Sequence, residues 1–249
     1  MLSLRVFACF CAVFVTDALP LGPSDTPVND RPIIGVLTQE VVDEDMLRFG
    51  KTYIPASYVK YLESGGCRVM PIRLKQTLVE YENIFKTING MMFIGGAADL
   101  QTSDYARAAK AFFRLAVEAN DAGDYFPIWG TCMGFQLLTV LVAGQNLLTN
   151  TTAENLALPL NFTNGRKYPF YGVQWHPEVN RFQWNPNLNF PHSKNAVRVS
   201  SLLAEFFVNE ARKNMHQFSG PEEEAAALIY NYTPVYVGNI SGYEQSYFF

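Results

Sequence analysis

The 249-residue sequence predicts an α/β protein, a mostly parallel sheet flanked by helices. Short runs of β-branched and aromatic residues alternate along it with longer helix-patterned stretches, the order that builds parallel sheets from strand–helix–strand units. Several of the strand-like runs stop at glycine pairs, which act as turn signals. Half the chain (49%) is hydrophobic and only 17% is charged, so a large core is available to cover both sheet faces.

Residues 1–18 carry one basic residue, Arg5, then an apolar core from Val6 to Val15 and a small residue at Ala18. That is the pattern of a cleavable secretory signal peptide, because a membrane span needs ~20 apolar residues. Residues 19–31 read as a polar linker, and residues 32–249 as the folded domain. Residues 32–38 (PIIGVLT) form a buried first strand, and a helix is expected over 54–63, closing before Gly65-Gly66. The strand over 67–72 follows, then a third over 88–94 that ends at Gly95-Gly96. The alanine-rich stretch 103–120 predicts a helix leading into the strand-like 125–129, and 135–142 predicts another helix. Residues 168–175 are strand-like and run into His176-Pro177-Glu178. The clearest helix is 195–213, where Val197, Leu202, Leu203, Phe206, Phe207 and Ala211 share a face and Ser193 is available as a cap. Glu222 to Glu224 read as a solvated charge run, and there is no internal repeat or low-complexity region.

A net charge of −4, a pI of about 5.4 and no basic cluster exclude nucleic acid as a partner. No run beyond the N-terminus is long enough to span a bilayer. Four Asn-x-Ser/Thr sequons, at Asn150, Asn161, Asn231 and Asn239, agree with a glycosylated protein that is secreted to the extracellular space or delivered to the lysosome. Beyond Cys9 and Cys11 of the leader, only Cys67 and Cys132 remain. In an oxidising compartment two cysteines pair by default. Cys67 lies in a strand with no special neighbours and reads as a core residue, whereas the surroundings of Cys132 suit a thiolate.

Those surroundings are WGTCMG, residues 129–134, between a strand-like run and a helix-like one. A nucleophile at so sharp a corner needs small neighbours, which Gly130 and Gly134 supply. A helix N-terminus also stabilises a thiolate. The competing reading is a small buried cysteine in a glycine-containing turn. Ligands of parallel sheets collect at the carboxyl ends of the strands. Gly95-Gly96, Cys132, and His176 with Glu178 all fall there. A cysteine, an imidazole and an orienting carboxylate are what amide hydrolysis through a thioester requires. Zinc held by Cys132, His176 and His192 lacks the close ligand spacing such sites show. His192 and His216 match nothing and read as surface histidines.

At this point the sequence resembles a family. GTCMG at 130–134 and GVQWHPE at 172–178 look like the nucleophile and His-Pro-Glu signatures of the class I glutamine amidotransferase-like superfamily. Within it, YIPASYVKYLES, FIGG, AGDYFPIWGTC, LPLNFT, YGVQWHPE and LAEFFVNEARKN are similar to the gamma-glutamyl hydrolase family, over nearly the whole chain after residue 31. The resemblance implies Cys132 as nucleophile, His176 as general base and acid, and Glu178 as the orienting carboxylate. It implies an oxyanion hole from the backbone of Gly95, Gly96 and Met133, and a substrate contact at Tyr58, which reads equally as a helix tyrosine packed on the sheet. It also implies a poly-γ-glutamate conjugate such as a folate as the small-molecule substrate, no metal or organic cofactor, and a homodimer as the assembly to test. A glutamine-hydrolysing amidotransferase would use the same constellation, but its synthase partner and cytosolic setting fit poorly with a signal peptide. Cys132 and His176 stand 44 positions apart, fewer than the family places between its signatures. The shortfall falls between Thr163 and Arg166 and implies a shortened chain that lacks some of the family's strands. Such a chain is either a working hydrolase or an inactive variant that keeps γ-glutamyl ligand binding.

Overall fold

A computed structural model describes residues 27–149 and 167–249. Its centre is a five-stranded parallel sheet of β1 (Ile33–Leu37), β4 (Arg68–Ile72), β5 (Gly90–Phe93), β6 (Ile128–Thr131) and β7 (Phe170–Val173), in the order β4-β1-β5-β6-β7. The expected α/β architecture of the glutamine amidotransferase-like kind is therefore present. Side chains of β1 alternate between faces, as the pleat requires. Ile33 and Leu37 enter one core with Met91, Phe93 and Ile128, while Ile34 and Val36 enter the other with Met92, Ile94 and Trp129.

Helices cover both faces. The first core is closed by α3 (Leu78–Phe85), α4 (Asp104–Asp121) and α5 (Met133–Ala143). The second is closed by α2 (Ala56–Glu63) and α7 (Lys194–Ala211). The remaining short helices are α1 (Glu44–Leu47), α6 (Val179–Phe182) and α8 (Pro221–Ala227). Side-chain caps fix three of the starts. Ser103 accepts from the Ala106 N–H, Ser193 from the Ala196 N–H, and Thr77 with Glu80 makes a reciprocal capping box.

Four details depart from the sequence reading. The helix expected from residue 54 begins at Ala56, because β3 (Thr52–Pro55) occupies the preceding residues. A residue before proline is driven to extended backbone, so Ile54 cannot begin a helix ahead of Pro55. That strand belongs to a second, antiparallel sheet that the sequence did not announce, ordered β2 (Gln39–Glu40), β3, β9 (Gln245–Phe248), β8 (Val235–Tyr236). In α7 the buried face is Ser200, Ala204, Phe207, Val208 and Ala211, and Leu202 and Phe206 point outward. Glu224 is not a merely solvated charge, since it pairs with Arg68 and, at 3.3 Å, with Arg31.

Candidate active site

Cys132 is the single residue between β6 and α5. It takes a left-handed backbone, φ 54° and ψ −113°, at the N-cap of the helix. Such a conformation costs a non-glycine residue about 1–3 kcal/mol and persists only where its surroundings impose it. The imposing contact is visible at Gly134. A Cβ there would stand 2.0 Å from the Phe93 carbonyl oxygen, so the first turn of α5 lies directly on the end of β5. Only glycine allows that approach.

His176 and Glu178 leave the sheet beside this corner. Val173 pairs with Thr131 across β6 and β7, and the Cys132 N–H donates to the Val173 carbonyl at 2.9 Å. Three residues further on, the His176 ring is half-buried, and its Nδ1 lies 2.7 Å from Oε1 of Glu178. Glu178 is completely buried at the start of α6. With Nδ1 tied to the carboxylate, Nε2 is the ring nitrogen left for the thiol.

The charges follow from this packing. Burial pushes the Cys132 thiol up, but hydrogen bonding to His176 and the His176 charge outweigh it, helped by the Met133 N–H, and the thiol pKa ends below its ordinary value. Burial pulls His176 down, while the Glu178 charge and the Cys132 thiol raise it, and the result is about 10. Both shifts favour the form in which a thiolate lies beside an imidazolium.

The other expected site residues surround this pair. Tyr58 is fully buried on α2. Its hydroxyl accepts the Gly95 N–H at 2.9 Å and lies 3.2 Å from His176 Nδ1. A Cβ on Gly95 would meet His176 Cε1 at 2.7 Å and Cys132 Cβ at 3.2 Å, so the bare backbone touches both. Of the three expected oxyanion donors, Gly95 is thus engaged by Tyr58, Met133 faces the Cys132 sulfur, and Gly96 lines a cleft.

That cleft, about 310 Å³, opens over Cys132 and His176. Its remaining wall is Gln39, Glu40, Val42, Tyr53, Ala97, Ala98 and Tyr243. Sequence reasoning named none of these. They come largely from the antiparallel sheet and its flanks, whose two- to four-residue strands carry no readable period. Gln174 was also missed. Its side-chain amide reaches the Cys132 sulfur at 3.7 Å and accepts from Gln136 at 3.1 Å.

The other histidines lie elsewhere. His192 is stacked on Trp184 with ring centroids 4.0 Å apart, its Nδ1 3.1 Å from the Asn180 carbonyl oxygen. His216 is not a surface residue. It packs against the Phe85–Phe126 ring pair, with its Nε2 2.8 Å from Asp124. Among the described residues, no group of three His, Cys, Asp or Glu side chains is placed to hold a metal. Cys67 and Cys132 are both free thiols, and Cys67 is buried with its S–H directed at the Leu62 carbonyl. Asn231 and Asn239 are exposed, whereas Asn150 and Asn161 fall outside the described residues.

A thiolate at the carboxyl edge of a parallel sheet, with a proton held on the adjacent imidazole, is equipped to attack an acyl carbon and protonate what leaves. Fold and site together define a cysteine hydrolase of glutamine amidotransferase-like architecture. More narrowly, the chain belongs to the peptidase C26 family, which matches residues 32–157. It is similar to the gamma-glutamyl hydrolase of Homo sapiens, 41% identical over 285 aligned residues covering 88% of this chain and 90% of that protein. It is also similar to the gamma-glutamyl hydrolase of Bos taurus, 39% identical with 93% of each covered, and to gamma-glutamyl hydrolase B of Dictyostelium discoideum, 30% identical with 99% and 90% covered. The 285 positions aligned with the human protein exceed the 249 residues of this chain, so that alignment opens gaps here.

Proposed function

We propose that this chain hydrolyses γ-glutamyl amide bonds through a thioester on Cys132, with folate poly-γ-glutamates as the substrates. The observation that carries the reading is the Cys132–His176–Glu178 alignment at the floor of the cleft. The thiolate adds to the γ-carbonyl carbon. The backbone N–H groups of Met133 and Gly96 receive the developing oxyanion. As the C–N bond breaks, the imidazolium of His176 passes its proton to the leaving amine and a thioester remains. Water then gives its proton to His176 and adds to the thioester carbon. Breaking the C–S bond frees the γ-carboxylate and restores the thiolate–imidazolium pair. Buried Glu178 holds the ring in orientation and stabilises its charged form.

Folate rests on the sequence resemblance alone, whereas γ-linked glutamate is also supported by the likeness to the gamma-glutamyl hydrolases. Secretory entry with delivery outside the cell or to the lysosome completes the proposal, supported by the leader and the four sequons. No helix among the described residues is long and apolar enough to cross a membrane.

The test is glutamate release from a γ-linked glutamate peptide by purified protein, with Cys132→Ala as the comparison. Activity is expected to fall at least ~10³-fold in the variant. Unchanged release by Cys132→Ala would remove the mechanism. The gapped alignment favours one competing reading, a shortened chain that binds γ-glutamyl ligands without turnover. Saturable binding with no glutamate released by the wild-type chain would establish it.

A further inference from the structure

The cleft wall opposite the catalytic strands carries two phenol hydroxyls that the hydrolytic mechanism does not use. Tyr53 projects from β3, and Tyr243 from the turn leading into β9. Their rings lie 6.4 Å apart at 51°. Neither hydroxyl has a hydrogen-bond partner among the described residues. Both side chains are firmly carried. Tyr53 pairs with Gln39 and Phe248 in the antiparallel sheet. The Tyr243 N–H donates to Ser241 Oγ at 3.0 Å, and the next N–H, of Glu244, donates to buried Gln183 at 2.8 Å. Burial pushes the Tyr243 hydroxyl up, and Tyr53, Glu178 and Cys132 push it further, so it remains an O–H donor at any physiological pH. Tyr243 and the nucleophile Cys132 line the same cleft.

Among the described residues, no lysine or arginine lines the cleft. Its single non-catalytic charge is Glu40, and the cations near Glu40 are engaged by Asp104, which Arg107 and, at 3.2 Å, Lys75 both hold. Apart from the His176 imidazolium, which serves the thiolate, an anionic group bound beside Cys132 is therefore met by neutral donors. On the γ-glutamyl reading, which this inference rests on, the substrate has such a group. The α-carboxylate carbon lies four bonds from the γ-carbonyl carbon, on the glutamyl unit that acylates Cys132.

We propose that the hydroxyls of Tyr243 and Tyr53 bind that α-carboxylate and so select γ-glutamyl units over other amides. The test compares a γ-glutamyl anilide bearing its free α-carboxylate with the same anilide carrying an α-carboxamide, in wild type, Tyr243→Phe and Tyr53→Phe. For the carboxylate substrate KM should rise ~10-fold in Tyr243→Phe with kcat within ~2-fold, the loss expected for a hydrogen bond to a charged group. For the carboxamide substrate neither constant should move. The rate of Cys132 alkylation by iodoacetamide should match wild type in both variants, which separates lost binding from lost folding. An equal KM change for both substrates, or none for either, would overturn the proposal. So would wild-type discrimination that follows α-amine acylation and disappears in Glu40→Gln, which would make the cleft a receptor for a cationic head. Wild type that turns over neither anilide would instead defeat the γ-glutamyl reading itself.

Discussion

Cys132 and Gly134 form a local bargain between strain and chemistry. The left-handed backbone of Cys132 exposes the sulfur to the cleft, and it is held because Gly134 lets α5 rest on the Phe93 carbonyl. Gly134→Ala puts a methyl group inside that contact, so helix and strand must separate. Overpacking of this kind costs ~1–3 kcal/mol or more. Urea melts should show a lowered midpoint, and Cys132 alkylation should slow even where the variant remains folded; an unshifted midpoint would mean the corner is not braced there. The neighbouring charge pair makes a separate claim. His176 lowers the thiol pKa, so thiolate persists to lower pH in wild type than in an unassisted cysteine. In His176→Asn the thiol returns upward. Alkylation at pH ~7 should then fall ~10-fold or more and recover as the pH is raised toward the ordinary thiol range. A wild-type profile in His176→Asn would show that the imidazole does not set the thiolate. The sequons also differ at this scale. The side-chain amide of Asn231 already donates to the carbonyls of Ala225, Ala226 and Leu228 at the end of α8, at 2.8–3.1 Å. The Asn239 side chain has no such duty. Glycopeptide mass spectrometry of secreted protein should therefore find Asn239 more fully occupied than Asn231, and the reverse order would refute the argument.

At the scale of elements, legibility in the sequence tracked strand length and motif locality. β1, β6 and α4 were readable because each buries a continuous or periodic apolar run and stops at a local signal, and the strand entering His176-Pro177-Glu178 because its aromatic residues run straight into that motif. The nucleophile and histidine corners were readable for the same reason, each being a short word at a strand end. The antiparallel sheet was not. β2 and β8 are two residues long, and β3 meets β9 across nearly the full length of the chain, Tyr53 opposite Phe248. No window of sequence holds both partners. Its consequence is functional, because Gln39, Glu40, Tyr53 and Tyr243 reach the cleft from this sheet or its flanks. The face of α7 was misjudged for a subtler reason. Leu202 and Phe206 fit an apolar stripe by composition, but the small residues Ser200 and Ala204 are what allow that helix to close on the sheet.

At the scale of the molecule, the site is assembled at one margin of the central sheet. Among the described residues no strand pairs with the outer side of β7, and Phe170 and Tyr171 are only half-buried. Ahead of the undescribed residues, Val142, Leu147 and Leu148 are exposed at 68%, 65% and 43%. An open edge and uncovered apolar side chains both favour association between chains. The alignments with the gamma-glutamyl hydrolases extend over more positions than this chain has, and the sequence reading puts the shortfall between Thr163 and Arg166, just before β7. Restoring the relatives' intervening segment should therefore cover apolar surface that is now exposed. Each 1 kcal/mol gained raises Tm by roughly 2–4 °C in a chain of this size, so a shift of several degrees is expected, with less aggregation on heating. Turnover should change less than stability. The register of Thr131 against Val173 already sets Cys132 beside the approach to His176, and the Nδ1–Glu178 hydrogen bond is made without the segment. The comparison is thermal melting and γ-glutamyl turnover for the two chains in parallel. Equal melting would show that the margin of the sheet needs no cover. Activity gained only on restoration would show that β7 alone does not hold His176 closely enough, since a displacement of ~1 Å can cost ~100-fold in rate.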